Sequence, residues 1–122
     1  MSMNPFFVDG YNRAVYVAGR TNIHPALRLT VRPLTVEEQS KAIQDIRTMT
    51  LVEEQRYAAD LMAPKIVSWS VGADCTPANL LRMPPALFHR LWNVIAGSDG
   101  GDPDPETGLK PKALAPEDAA KN

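Results

Sequence analysis

The 122-residue chain has one cysteine, Cys75, so it cannot close an intramolecular disulfide, and only two histidines, His24 and His89, so no Cys/His cluster of zinc-site spacing exists. That usage suits a reducing cytoplasm. No apolar run approaches the roughly 20 residues that span a bilayer, and Met1–Asn12 has neither the basic start nor the apolar stretch of a signal peptide, so export and membrane insertion are not expected. An excess of one charge is lacking too: 13 Lys+Arg stand against 14 Asp+Glu, a net charge of -1, which gives no global attraction to nucleic acid or an anionic membrane. The glycines form no phosphate-cradling loop, and neither Gly-x-Ser-x-Gly nor His-Glu-x-x-His occurs. The expectation is a protein without catalytic residues, cofactor or metal.

Proline is what the chain has in quantity, and its distribution divides the sequence. Four of the 11 prolines fall in Ser98–Asn122, where the aliphatic residues are Leu109, Leu114 and scattered alanines. Such a stretch buries too little apolar area to offset backbone ordering at roughly 1–2 kcal/mol per residue. Residues 98–122 therefore read as a disordered acidic tail of net charge -3, which leaves residues 1–97 at +2. An N-terminal arm over 1–12 and a domain over 13–97 complete the expected organisation.

Within the domain, Val15 and Val17, then Leu27, Leu29 and Val31, recur at every second position, the period of two half-buried strands over 13–19 and 26–32. Thr35-Val-Glu-Glu38 and Thr50-Leu-Val-Glu53 each place a hydroxyl at a helix N-cap and a carboxylate three residues on. They predict two helices, 35–48 and 51–63, with a single long helix as the alternative; Val36, Ile43, Ile46 and Met49 share one face of the first. Val67, Trp69 and Val71 alternate with Ser68 and Ser70 as a third strand. Thr76-Pro77 starts a short helix, and Pro85–Ala96 forms a stronger one ended by Gly97. The fold class expected is α+β: a small antiparallel sheet of about three strands against three to four helices.

Residues able to do chemistry have structural explanations close by. Glu37-Glu38 and Glu53-Glu54 lie in first helical turns, where the helix dipole favours negative charge. His24, His89 and Cys75 have no local partner that would build a triad or lower a thiol pKa. Arg28 and Arg32, with Arg13 and Arg20 nearby, make a modest basic patch on a strand face, but no aromatic interleaves with Arg28 and Arg32 for stacking on bases. The helix 85–96 stands apart. Leu87, Phe88, Leu91, Trp92, Val94 and Ile95 cover more than half of its girth, so it is either a central core helix or one that also offers a face to another chain.

The segment Val31-Arg-Pro-Leu-Thr-Val-Glu-Glu38, followed by Ile66-Val-Ser-Trp-Ser-Val71, Pro77-x-x-Leu80 and Pro84-Pro-Ala-Leu-Phe-x-Arg-Leu91-x-x-x-Ile95-x-Gly97, resembles the tail assembly chaperones of tailed phages and prophages over residues 25–105. The resemblance implies a protein of the infected cell's cytoplasm that binds the long, apolar tape-measure protein, or another phage tail protein, and prevents its aggregation until tail-tube subunits polymerise around it. It also implies a frameshifted longer form whose junction would suit the segment 98–122. The protein-binding residues expected on this reading are Leu87, Phe88, Leu91, Trp92 and Ile95. The alternative is a structural virion component, a head–tail connector or a minor tail or head protein, that forms a homo-oligomer through the same helix.

Overall fold

Aliphatic side chains at alternate positions put one face of each of the first two strands into the core: Val15 and Val17 of β1 (Arg13–Val17) and Leu27, Leu29 and Val31 of β2 (Leu27–Val31) are all buried. In the computed structural model, which describes residues 12–107, these strands pair antiparallel with Arg13 opposite Val31 and Val17 opposite Leu27. A third strand, β3 (Ile66–Trp69), joins the far side of β2, and the sheet order is β1-β2-β3. Trp69 and Val71 pack against the core as their alternation predicts, but the expected facing of β3 needs correction at Val67. Thr30 stands opposite Ser68 and Val31 opposite Ile66, so Val67 is an extra residue at a β-bulge. Ile66 is buried in its place, and Val67 faces solvent.

Both capping boxes form. The Thr35 hydroxyl accepts from the Glu38 N–H at 3.2 Å while the Glu38 carboxylate accepts from the Thr35 N–H at 2.9 Å, and Thr50 and Glu53 repeat the pattern at 3.2 and 2.8 Å. Two helices result, α1 (Val36–Ile46) and α2 (Leu51–Met62), in place of one long one. A 3-10 turn containing Pro64 ends α2 and delivers the chain into β3. Thr76 caps the short α3 (Pro77–Leu80) by accepting from the Asn79 N–H at 3.1 Å. The last helix, α4 (Pro85–Ala96), stops at Gly97, whose φ of 92° is left-handed and suited to glycine. The fold is thus α+β, a three-stranded antiparallel sheet with four helices.

One core holds these elements together. Leu87, Phe88, Leu91, Val94 and Ile95 of α4 pack in the same cluster as the inward side chains of the sheet, with Ala59 and Met62 of α2 and Leu80 of α3. The C-terminal carbonyls of α4 are also taken up, as the Leu34 N–H donates to Ile95 at 2.8 Å and Arg13 Nη2 to Val94 at 3.1 Å. A cation at this end complements the helix dipole as well as the orphan carbonyls.

The expected boundary at Gly97 is a second correction, because residues 98–107 do not leave the domain. Arg90 on α4 donates to Asp99 at 2.9 Å and to Asp102 at 2.7 and 2.9 Å. Asp102 in turn lies along β1: its N–H donates to the Tyr16 carbonyl at 2.6 Å, and its Oδ2 accepts from the Ala18 N–H at 2.7 Å. Asp104 then accepts a two-pronged hydrogen bond from Arg28, at 3.2 and 2.9 Å. Composition does not reveal this docking, because the segment has little apolar surface to bury and is held instead by arginine–carboxylate forks at Asp99, Asp102 and Asp104. Residues 1–11 of the expected arm over 1–12, and the remainder of the expected tail, 108–122, lie outside the described residues.

Candidate interaction surface

The five residues expected to bind a partner sit on α4, and the structure places four of them inside the domain. Leu91 and Ile95 are fully buried, Leu87 is 5% and Phe88 7% exposed, while Trp92 is half-buried against the core. In this fold α4 is the central helix, so its apolar breadth serves the interior. The sheet, α2 and α3 together provide the coverage that the sequence left in question.

The large apolar side chains left in water are elsewhere. Among the described residues the most exposed are Val36 (83%) and Ile43 (54%) on α1, and Leu51 and Val52 (both 67%) in the first turn of α2. Val36 and Ile43 are seven residues apart, two turns along one flank of α1. Of the amphipathic face expected for α1, Val36 and Ile43 are turned outward, whereas Ile46 and Met49 are half-buried. The only buried residue of α1 is Ala42, a side too small to anchor a helix through apolar area alone.

Polar clasps hold α1 instead. Glu38, besides completing its capping box, accepts from Lys65 Nζ at 2.7 Å, which ties the start of α1 to the turn before β3. The hydrogen bond from Lys65, with that from the Thr35 N–H, holds the Glu38 carboxyl below the usual carboxylate range. At the other end, Asp45 accepts from Lys41 at 2.7 Å and from the Tyr57 hydroxyl of α2 at 2.6 Å. Those two bonds lower the Asp45 carboxyl, and the same contact raises the Tyr57 phenol. The result is two helices tied together by polar contacts, with Val36, Ile43, Leu51 and Val52 exposed.

The groups with chemical potential remain separated. His24 is buried in the loop between β1 and β2, where its Nδ1 lies 2.9 Å from the Pro25 carbonyl, and the open depression there is lined only by Gly19–Pro25. His89 is exposed on α4, edge-on to Phe88. The Cys75 thiol is 3.8 Å from the Ala63 carbonyl, and burial pushes its pKa up, which disfavours the thiolate. Glu38 and Glu53 are committed to their caps. No group of three or more His, Cys, Asp or Glu side chains positioned to hold a metal ion occurs among the described residues.

The basic patch is likewise dispersed. Arg28 pairs with Asp104 and, at 3.3 Å, with Glu106, and its guanidinium lies 4.9 Å from the centre of the Tyr16 ring. Tyr16 is the cross-strand neighbour of Arg28, so an aromatic does accompany this arginine, from a position 12 residues away in sequence. No helix among the described residues is long and apolar enough to cross a membrane. No protein-family model, curated protein or solved structure matches the chain.

Proposed function

We propose that this protein is a non-catalytic assembly factor of a tailed phage, acting in the host cytoplasm, that holds an apolar partner chain, the tape-measure protein, through the helical corner of α1 and the first turn of α2. The observation that carries the reading is the exposure of aliphatic side chains on α1: Val36 and Ile43 face water, Ile46 is half-buried, and the buried residue of the helix is Ala42. Leu51 and Val52, exposed in the first turn of α2, follow the C-terminal end of α1 in the chain and complete the proposed surface. A shielding protein needs accessible apolar side chains on a stable frame, and no bond-making chemistry. The segment 31–38 that carries part of the family resemblance also leads into this corner. The interaction residues are thereby moved from Leu87, Phe88, Leu91, Trp92 and Ile95 to Val36, Ile43, Leu51 and Val52.

The test is co-expression of the full chain with a phage tape-measure protein. The wild type raises the soluble fraction of the client, and Val36→Asp combined with Val52→Asp abolishes that gain while the domain keeps its circular dichroism and melting temperature. Unchanged client solubility with the wild type refutes the function. A gain that survives the double substitution refutes the assignment of the surface. A stable ring of identical subunits that is retained in purified particles would instead establish a structural virion component.

A further inference from the structure

Residues 98–107 read Ser-Asp-Gly-Gly-Asp-Pro-Asp-Pro-Glu-Thr, without one large apolar side chain, yet they run from the end of α4, round the edge of β1, to the outer face of the sheet. Asp102 behaves as a one-residue strand there. Its amide donates to Tyr16, and its carboxylate accepts the Ala18 N–H that another strand would otherwise take. Gly101 makes the approach possible: its φ is 90°, and an added Cβ would lie 2.6 Å from Val15 Cγ1 and 2.7 Å from the Tyr16 carbonyl oxygen. What holds the segment is charge, through Arg90 with Asp99 and Asp102, and through Arg28 with Asp104. What holds the sheet and α4 is apolar burial.

We infer that residues 99–104 are an electrostatic latch on the outer edge of β1, which opens as a unit while the domain stays folded. Two holding forces of different kind respond to different perturbations: salt and the loss of an arginine weaken the first and leave the second in place. Opening also leaves no charge stranded in the interior, because the released carboxylates and the Arg90 side chain, 27% exposed even when latched, pass to water. An open latch frees the Tyr16 carbonyl and the Ala18 N–H, and an unpaired strand edge is where an extended chain can add.

Amide hydrogen exchange of the full chain, read residue by residue by NMR, tests the latch. In Arg90→Gln the Ala18 amide is expected to exchange about ten-fold faster or more, while the amides of Leu29 in β2 and Leu91 in α4 keep their protection. Gly101→Ala, which retains every charge and only wedges the segment away from Val15, is expected to give the same selective pattern. In the wild type, raising the salt from about 0.05 to 0.5 M, which shortens the screening length severalfold, should accelerate Ala18 alone. Loss of protection at Ala18, Leu29 and Leu91 together in both variants would overturn the inference by making the segment part of the cooperative core, and so would an Ala18 amide indifferent to both substitutions or to salt.

Discussion

Leu91→Ala separates a core helix from a binding helix. The Leu91 side chain is fully buried in the cluster that also holds the inward side chains of the sheet and of α2, so truncation removes apolar contacts and leaves a cavity that neighbours fill only in part. Buried leucine-to-alanine changes cost about 2–5 kcal/mol. In a described domain of fewer than 100 residues, 1 kcal/mol shifts the melting temperature by roughly 4–8 °C, so a cost near 3 kcal/mol predicts a fall of about 12–24 °C. Such a loss is a large share of a domain stability of about 5–15 kcal/mol. The assay is thermal unfolding by circular dichroism, paired with urea titration to confirm that the m-value, and hence the buried surface, is unchanged. Val36→Ala is the internal control: at 83% exposure it should change stability by less than about 0.5 kcal/mol. A Leu91→Ala protein that melts within a few degrees of wild type would refute the placement of α4 and return its apolar face to the list of binding surfaces.

Two other outcomes follow from the polar contacts. Thr50→Ala removes the hydroxyl that accepts the Glu53 N–H and should cost about 1 kcal/mol in urea unfolding, whereas Thr50→Ser should restore most of it; equal losses in the two would exclude the cap as the cause. Acid should destabilise the fold through Glu38, Asp45, Asp99, Asp102 and Asp104, all lowered in the folded state. For Asp99, burial acts upward and is outweighed by hydrogen bonds from Arg90 and the Gly101 N–H; for Asp102 the bonds from Arg90 dominate. A lowered folded-state value means that the stabilisation is complete above the ordinary carboxylate values, 3.8 for Asp and 4.5 for Glu, and is lost as pH falls through the lower folded-state values. The urea midpoint should therefore drop below about pH 4, and less steeply in the Asp99→Asn, Asp102→Asn double variant. A midpoint that stays level down to pH 2.5 would show that these pairs contribute nothing.

The parts of this fold that were legible in the sequence are those decided within a few residues. Thr35 with Glu38, Thr50 with Glu53, Thr76 with Pro77 and the Pro85–Gly97 punctuation marked helix ends because a cap is satisfied by its own neighbours. The strands β1 and β2 were legible because alternation is a local pattern. Three features were hidden for nonlocal reasons. The bulge at Val67 depends on the register against Thr30 and Val31, which alternation within β3 does not encode. The side on which α1 packs is chosen by Lys65 and Tyr57, whereas its periodicity says only that an apolar flank exists. The latch depends on Arg28 finding Asp104, 76 residues on, though the spacing of Asp99, Asp102 and Asp104 was a visible sign that an arginine-bearing surface could receive them. For the candidate site, the apolar residues on α1 were visible, but α4 drew the assignment because its apolar breadth is greater and burial cannot be read from breadth alone.

The bulge at Val67 bears on how far the sheet can extend. β3 is the edge opposite β1, and one extra residue twists and interrupts the line of backbone groups that a further strand would need to match. The two margins of the sheet are therefore finished by small devices, a single inserted residue on one side and a short acidic strap on the other. Neither margin requires a helix laid over it. That economy releases α1 from covering duty and lets it become a surface element, attached by Glu38 and Asp45 with Val36 and Ile43 turned toward whatever the protein meets.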